Sequence, residues 1–268
     1  MTKRFFYYIT FLIVSFGYPA KSFAPGKAHT SSLNKKGLKA DEISMAVKTQ
    51  AFESHLHTLF TQTGLYKTNL DFSLFRKALV GYYNIQQKSG SLVKPVLSII
   101  DFSKSSRQKR LWVIDLKNKK LLFNTLVAHG KGTGDEFARA FSNEPNSNKS
   151  SLGFYLTAQT YFGKHGLSLK INGLDQNFNT NALARAVVIH GADYVSADFI
   201  KRYGRLGRSL GCPALPAKET RPIIDIIKNN TCLYIYGADK KYSSPYLTEA
   251  SAIDSFASEF FALSANAS

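Results

Sequence analysis

The sequence predicts a mixed α+β chain in which a helical N-terminal region precedes a β-rich domain. Three observations carry this. Between residues 42 and 89 apolar side chains recur at helical spacing. From residue 91 to residue 238 the texture changes to short β-prone runs separated by turn residues, and residues 239–268 read as a peripheral helical tail. The composition, 44% apolar and 20% charged over 268 residues, excludes a disordered chain and allows a sizeable core.

Taken in order, residues 1–24 have the form of a secretory signal peptide. Lys3 and Arg4 precede an apolar run over 5–16, and small residues follow near Ala20 and Ala24. That run is too short to cross a bilayer comfortably, which predicts export to the periplasm or cell envelope without stable membrane insertion after its removal. Residues 25–41, rich in Ser, Lys, Gly and Asn, read as a linker. Ala46, Phe52, Leu56, Leu59 and Phe60 mark a first helix; Leu74, Phe75, Ala78, Leu79 and Tyr82 mark a second, with Asp71 or Ser73 to cap it. His55 and His57 lie two residues apart on the first helix, so they face different ways and are placed on its surface rather than on a metal.

Strands are expected at 95–102, 111–116 and 121–129. Gly130, Gly132 and Gly134 resemble a phosphate cradle, but Asp135-Glu136 follow and no Lys-Ser/Thr ending is present, so this segment reads as a flexible loop. Further strands are expected at 152–160, 167–171 and 186–190. Ser196 caps a helix to about Tyr203, and a loop over 204–212 leads to a helix at 218–228 and a strand at 231–236. The strands dominate, arranged as mixed sheets or a sandwich with a few helices packed on them.

The formal charge of +17 points to anionic partners. Losing residues 1–24 would remove Lys3, Arg4 and Lys21 and no acid, leaving +14. Lysines and arginines are spread along the chain, without zinc-finger spacing, basic heptads or an RNP-like aromatic pattern, so nucleic acid is not expected as a partner. Anionic cell-envelope polymers fit better. No two of the six histidines are spaced as metal ligands with a nearby Cys or carboxylate, and neither metal nor cofactor is expected. Nothing in the sequence fixes an oligomeric state.

The chemistry concentrates in one segment. A strand-like run delivers His190-Gly191, and Cys212 follows 22 residues later in Gly207-Arg208-Ser209-Leu210-Gly211-Cys212-Pro213. A thiol attacks as its thiolate, which a positioned imidazole and nearby cations favour. His190 is the candidate base and Cys212 the candidate nucleophile. Pro213 holds Cys212 extended. Gly211 permits backbone geometries that aim N–H groups at an oxyanion, each worth about 3–4 kcal/mol when removed. Arg205 and Arg208 are candidates for favouring the thiolate or gripping a carboxylate, and Ser209 for bonding within the loop or to substrate. Export leaves a second reading open, in which Cys212 and Cys232 form a disulfide. Against it, Cys232 lies in a β-prone run, the address of a small buried hydrophobe.

The run Ile189-His190-Gly191-Ala192-Asp193-Tyr194-Val195 followed by Gly207–Leu215 resembles the signature of YkuD-like L,D-transpeptidases, in the branch described as the murein L,D-transpeptidase catalytic domain family. The resemblance extends over most of 91–237, including residues 111–116, 129–132 and 150–155. It implies a β-rich YkuD-like fold, a Cys nucleophile at Cys212 and a His base at His190; Gly191, beside that histidine, joins Gly211, Ser209, Arg208 and Arg205 as a candidate oxyanion or substrate contact. It also implies peptidoglycan stem peptides as partners and substrate: the thiolate expels a terminal D-alanine, and an amine of a neighbouring stem, or water, captures the thioester.

Two positions depart from the family pattern. Leu210 stands where a second histidine is usual, and Ala214 where an arginine is usual, two residues after the cysteine. Any orienting role of that histidine passes to the backbone or another residue, and Arg208 or Arg205 is the candidate for the carboxylate contact. Two alternatives are a sortase-like transpeptidase, with Arg221 as the late arginine, and a wall-binding module that keeps the fold without the activity. A Cys-before-His protease order is contradicted outright.

Overall fold

The computed structural model describes residues 43–266 apart from residues 91 and 93. The expected signal peptide and linker lie outside the described residues. Two helices lead: α1 (Met45–Gln62) and α2 (Phe72–Ser89). Ser44 caps α1, and of the two candidate caps for α2 it is Asp71 that accepts from the Ser73 and Leu74 N–H groups, while Gly90 closes the helix in the left-handed region.

Among the described residues eight strands follow: β1 (Val96–Asp101), β2 (Leu111–Asp115), β3 (Lys120–Thr125), β4 (Gly153–Gly163), β5 (Gly166–Gly173), β6 (Val188–Ala192), β7 (Ala214–Pro216) and β8 (Cys232–Tyr236). Between them lie α3 (Ala197–Tyr203), capped by Ser196, and α4 (Ala217–Ile227); α5 (Glu249–Asn266) is the last described element. All eight strands join one sheet in the order β3-β2-β1-β8-β4-β5-β6-β7. Pairing is antiparallel except for β1–β8 and β6–β7.

Both faces of the sheet are covered, and strand alternation divides the core in two. Leu97, Ile99, Trp112, Ile114, Phe154 and Tyr234 turn to one side, where they meet α1, α2 and α5. Val96, Ile100, Val113, Tyr155, Leu233 and Ile235 turn to the other, where Ile223, Ile224 and Ile227 of α4 cover them. The α2 helix approaches so closely that a Cβ on Gly81 would lie 2.0 Å from the Phe154 ring.

Two expectations are corrected. The C-terminal segment is not peripheral, since α5 buries Ala252, Ile253, Phe256 and Ala257 against the rest of the core. His55 is not a surface residue: it is packed between helices, its Nε2 3.0 Å from the Tyr83 hydroxyl and its ring 4.9 Å from that of Phe256. His57 is exposed and stacks on Phe72.

Candidate active site

The short strand β7, unmarked in the sequence reading, brings the two candidate groups together. Its parallel register on β6 sets Ala214 opposite His190. Two residues earlier, Cys212 falls beside Val188, whose N–H approaches Sγ at 3.4 Å, and the His190 N–H faces the Pro213 carbonyl at 3.4 Å. Residues 188 and 190 project from the same side of β6. His190 and Cys212 therefore line one cleft of about 820 Å³, together with Ser209, Arg208, Leu210 and Arg185.

The loop before Cys212 is tied down at every turn. Ser209 Oγ donates to the Cys212 carbonyl at 2.6 Å and accepts from the Gly211 N–H at 3.0 Å. Ser209 also exchanges backbone bonds with the 129–131 turn, its N–H reaching His129 O and its carbonyl accepting from Lys131 N. Ser150 Oγ bridges the two segments, donating to Gly211 O and accepting from Gly130 N. Glycine is required at this contact. A Cβ on Gly130 would lie 2.7 Å from Gly211 Cα, and Gly211 itself has φ 130° with Lys149 O 3.0 Å from its Cβ position. The glycine segment 130–134, expected to be a flexible loop, is instead a packed support for the thiol-bearing loop.

Beneath that support lies a buried cation. Arg110, fully buried, donates from Nε and Nη2 to Val127 O, from Nη1 to Lys104 O, and from Nη2 to His129 Nδ1 at 2.8 Å. Since Nδ1 accepts, His129 carries its proton on Nε2, which donates to Gly134 O at 3.3 Å. Burial, with Arg110 beside it, lowers the His129 pKa to about 4. Desolvation also lowers the Arg110 guanidinium to about 9, with Asp101 opposing.

The electrostatics of the site define its resting state. His190 is 2% exposed, its ring stacked on His165 at 4.3 Å, and its Nδ1 is 2.9 Å from Gly191 O. A carbonyl can only accept, so Nδ1 holds the proton and Nε2 is the basic nitrogen. Burial lowers the His190 pKa; the Gly191 carbonyl opposes this, and His165 and Lys164 add to it. Burial raises the Cys212 thiol, opposed by the Val188 N–H and by the charges of Arg185 and Lys164. At neutral pH the pair rests as a neutral thiol and a neutral imidazole.

Cys212 and Cys232 are both free. The disulfide reading fails for a structural reason: Cys232 is buried on the face covered by α1, α2 and α5, while Cys212 packs at the edge of the core on the other face. The other candidates are placed as follows. Gly191 lines a neighbouring cavity of about 520 Å³ and reaches His190 through its carbonyl. Arg208 lines the cleft but donates to Asp135 Oδ1 at 2.6 Å, and Arg205 lies 3.9 Å from the same carboxylate. The cations acting on the thiol are Arg185 and Lys164, neither singled out from the sequence. Arg221 lines the neighbouring cavity rather than the Cys212 cleft. Among the described residues no group of three or more His, Cys, Asp or Glu is placed to hold a metal ion, and no helix is long and apolar enough to cross a membrane.

A family model for the L,D-transpeptidase catalytic domain matches residues 47–236, well over half of the chain. The chain belongs to this family. The match begins within α1 and ends with β8, so it takes in the helices as well as the sheet, and the domain is an α+β fold of the YkuD-like L,D-transpeptidase kind. No curated protein matches the chain. Among solved structures it is similar to an L,D-transpeptidase from Mycobacterium smegmatis, at 11% identity and TM-score 0.34, over 53% of this chain and 59% of that one. It is also similar to L,D-transpeptidase 3 from Mycobacterium tuberculosis, at 9% identity and TM-score 0.35, over 53% and 61%. A third is the helical cell shape determining protein Pgp2 from Campylobacter jejuni, at 14% identity and TM-score 0.36, over 70% and 64%. In each case this chain spans less than two thirds of the other protein's length.

Proposed function

We propose that this member of the L,D-transpeptidase family is an exported peptidoglycan transpeptidase with Cys212 as nucleophile and His190 as general base. One observation carries the reading: the β6–β7 register turns both side chains into one cleft, with Nε2 as the basic nitrogen of His190. As Sγ attacks the carbonyl of a stem-peptide donor, the thiol proton passes to Nε2, so no standing thiolate is needed. Gly211 N–H is engaged by Ser209 Oγ, which leaves the Cys212 N–H as the backbone donor for the oxyanion. Collapse of the tetrahedral adduct breaks the C–N bond, and the leaving D-alanine amine takes the proton from His190. The thioester is then captured by an acceptor amine, giving a cross-link, or by water, giving carboxypeptidase turnover. A basic surface suits an anionic wall polymer, and the leader-like residues 1–24 suit a periplasmic site of action.

The test is acylation by a carbapenem-type reagent followed by intact-mass analysis. The expected result is one adduct on the wild-type chain, none on Cys212→Ala, and a loss of muropeptide cross-links in cells lacking the protein. No adduct on a folded, reduced chain would overturn the reading. Sacculus binding unchanged in Cys212→Ser, with muropeptides unaltered, would favour the wall-binding module.

A further inference from the structure

Arg185 is a guanidinium that no carboxylate among the described residues pairs with. Nη1 donates to Ser142 O at 2.7 Å; Nη2 donates to Lys149 O at 2.6 Å and Ser147 Oγ at 3.3 Å. All three acceptors are neutral, and among the described residues no ion pair includes Arg185. The same Nη2 lies 3.5 Å from the Cβ position of Gly211, the residue next to the candidate nucleophile. The side chain is half-buried and lines the Cys212 cleft. Its three hydrogen bonds fix the fork against the 142–149 segment, so its charge is immobilised beside the sulfur without a fixed counter-ion.

We propose that Arg185 is a positioning residue for the chemistry of Cys212, supplying the fixed positive charge that the sulfur meets as its S–H bond breaks and the proton moves to His190 Nε2. The inference rests on Cys212 being the nucleophile proposed above. The other charged and titratable groups around the sulfur are few. The β4–β5 hairpin contributes Lys164 and His165, and β6 contributes His190 and the Val188 N–H. The loop contributes Arg208, whose charge is taken by Asp135, and Tyr194 stands on the cleft wall. Glu144 also acts on Arg185, after Tyr155 and Cys212, without forming an ion pair with it. Lys164 is exposed at the tip of the hairpin, where solvent screens it. Among the described residues around the sulfur, Arg185 is thus the cation that is both fixed and outside any ion pair. Consistent with this, Arg185 is the largest charged influence on the thiol.

The experiment reads the sulfur directly. Iodoacetamide alkylation of the full chain is followed against pH, with modification assigned to the Cys212 peptide by mass. In Arg185→Gln, which keeps hydrogen-bond donors and loses the charge, the midpoint is expected to rise by about one pH unit, so that alkylation below it slows about tenfold. In Arg185→Lys the charge stays and the midpoint is expected close to wild type, with Lys164→Gln moving it by less than Arg185→Gln does. Superposed profiles for wild type and a folded Arg185→Gln would overturn the proposal. So would an Arg185→Lys midpoint raised by about one unit, a result that stands even if Arg185→Gln fails to fold. Alkylation needs no peptidoglycan chemistry. A wild-type chain that resists carbapenem while its profile still follows residue 185 would sink the transpeptidase reading and spare this one; carbapenem acylation with profiles insensitive to residue 185 would do the reverse.

Discussion

In the mechanism proposed above, a thiol that burial keeps protonated passes its proton to an imidazole that burial keeps neutral during attack, not before it. His190→Gln is therefore expected to slow carbapenem acylation by about 10²–10⁴-fold while leaving the fold intact, as stopped-flow acylation and circular dichroism would check. Acylation in the wild type should persist at pH values below the ordinary histidine midpoint of about 6.5, since the His190 pKa is lowered and its base form survives there. Arg110 is a second residue with a measurable role. Arg110→Met leaves the Val127 and Lys104 carbonyls without their donor, at about 1–3 kcal/mol for each buried group left unsatisfied, and urea unfolding should show a loss of at least about 2 kcal/mol. Cys212 and His190 stand out as candidates in the sequence because each is an unusual residue type flanked by glycine, and the fold sets both on one cleft. Arg185 and Arg110 do not stand out. What distinguishes them is which distant carbonyls they reach, and those come from residues 142–149 and 104–127, brought close only by the fold.

At the scale of elements, the strands were readable because alternating apolar residues turn to two different cores. The exception is β7. Its three residues follow Pro213 and end in Pro216, too short a run to carry periodicity, yet their pairing with β6 sets the register of the candidate site. The 130–134 turn reads as flexible in a linear sequence for a related reason: its glycines serve close approach to Gly211, a contact only the fold creates. Close approach also governs α2. In a helix interior Ala is favoured over Gly by about 1 kcal/mol, but a methyl group on Gly81 would overlap the Phe154 ring, which is itself stacked on Tyr234 at 4.2 Å. Overpacking of this kind costs about 1–3 kcal/mol, so the clash wins and Gly81→Ala should lower the melting temperature. A raised melting temperature would show that α2 can shift away from the sheet.

For the whole molecule, acid should loosen the packing through its buried imidazoles. Burial holds His129 and His55 at about 4 against an ordinary 6.5. Between those values the unfolded chain binds protons that the folded chain refuses, so stability is complete above pH 6.5 and drains away as pH falls toward 4. For His129, the more deeply enclosed of the two, this is worth roughly 3 kcal/mol at most. Urea midpoints measured from pH 7 to pH 4.5 should fall, and should fall less in His55→Gln; equal slopes would show that His55 stays reachable by water. One feature of the sheet bears on how such a molecule is made. The last strand of the sheet to be synthesised, β8, occupies its centre, between β1 and β4. Until residues 232–236 arrive, the strands before and after that gap are two half-sheets with raw edges and no shared spine. Late closure of this sort postpones locking of the sheet until residues 232–236 have been made.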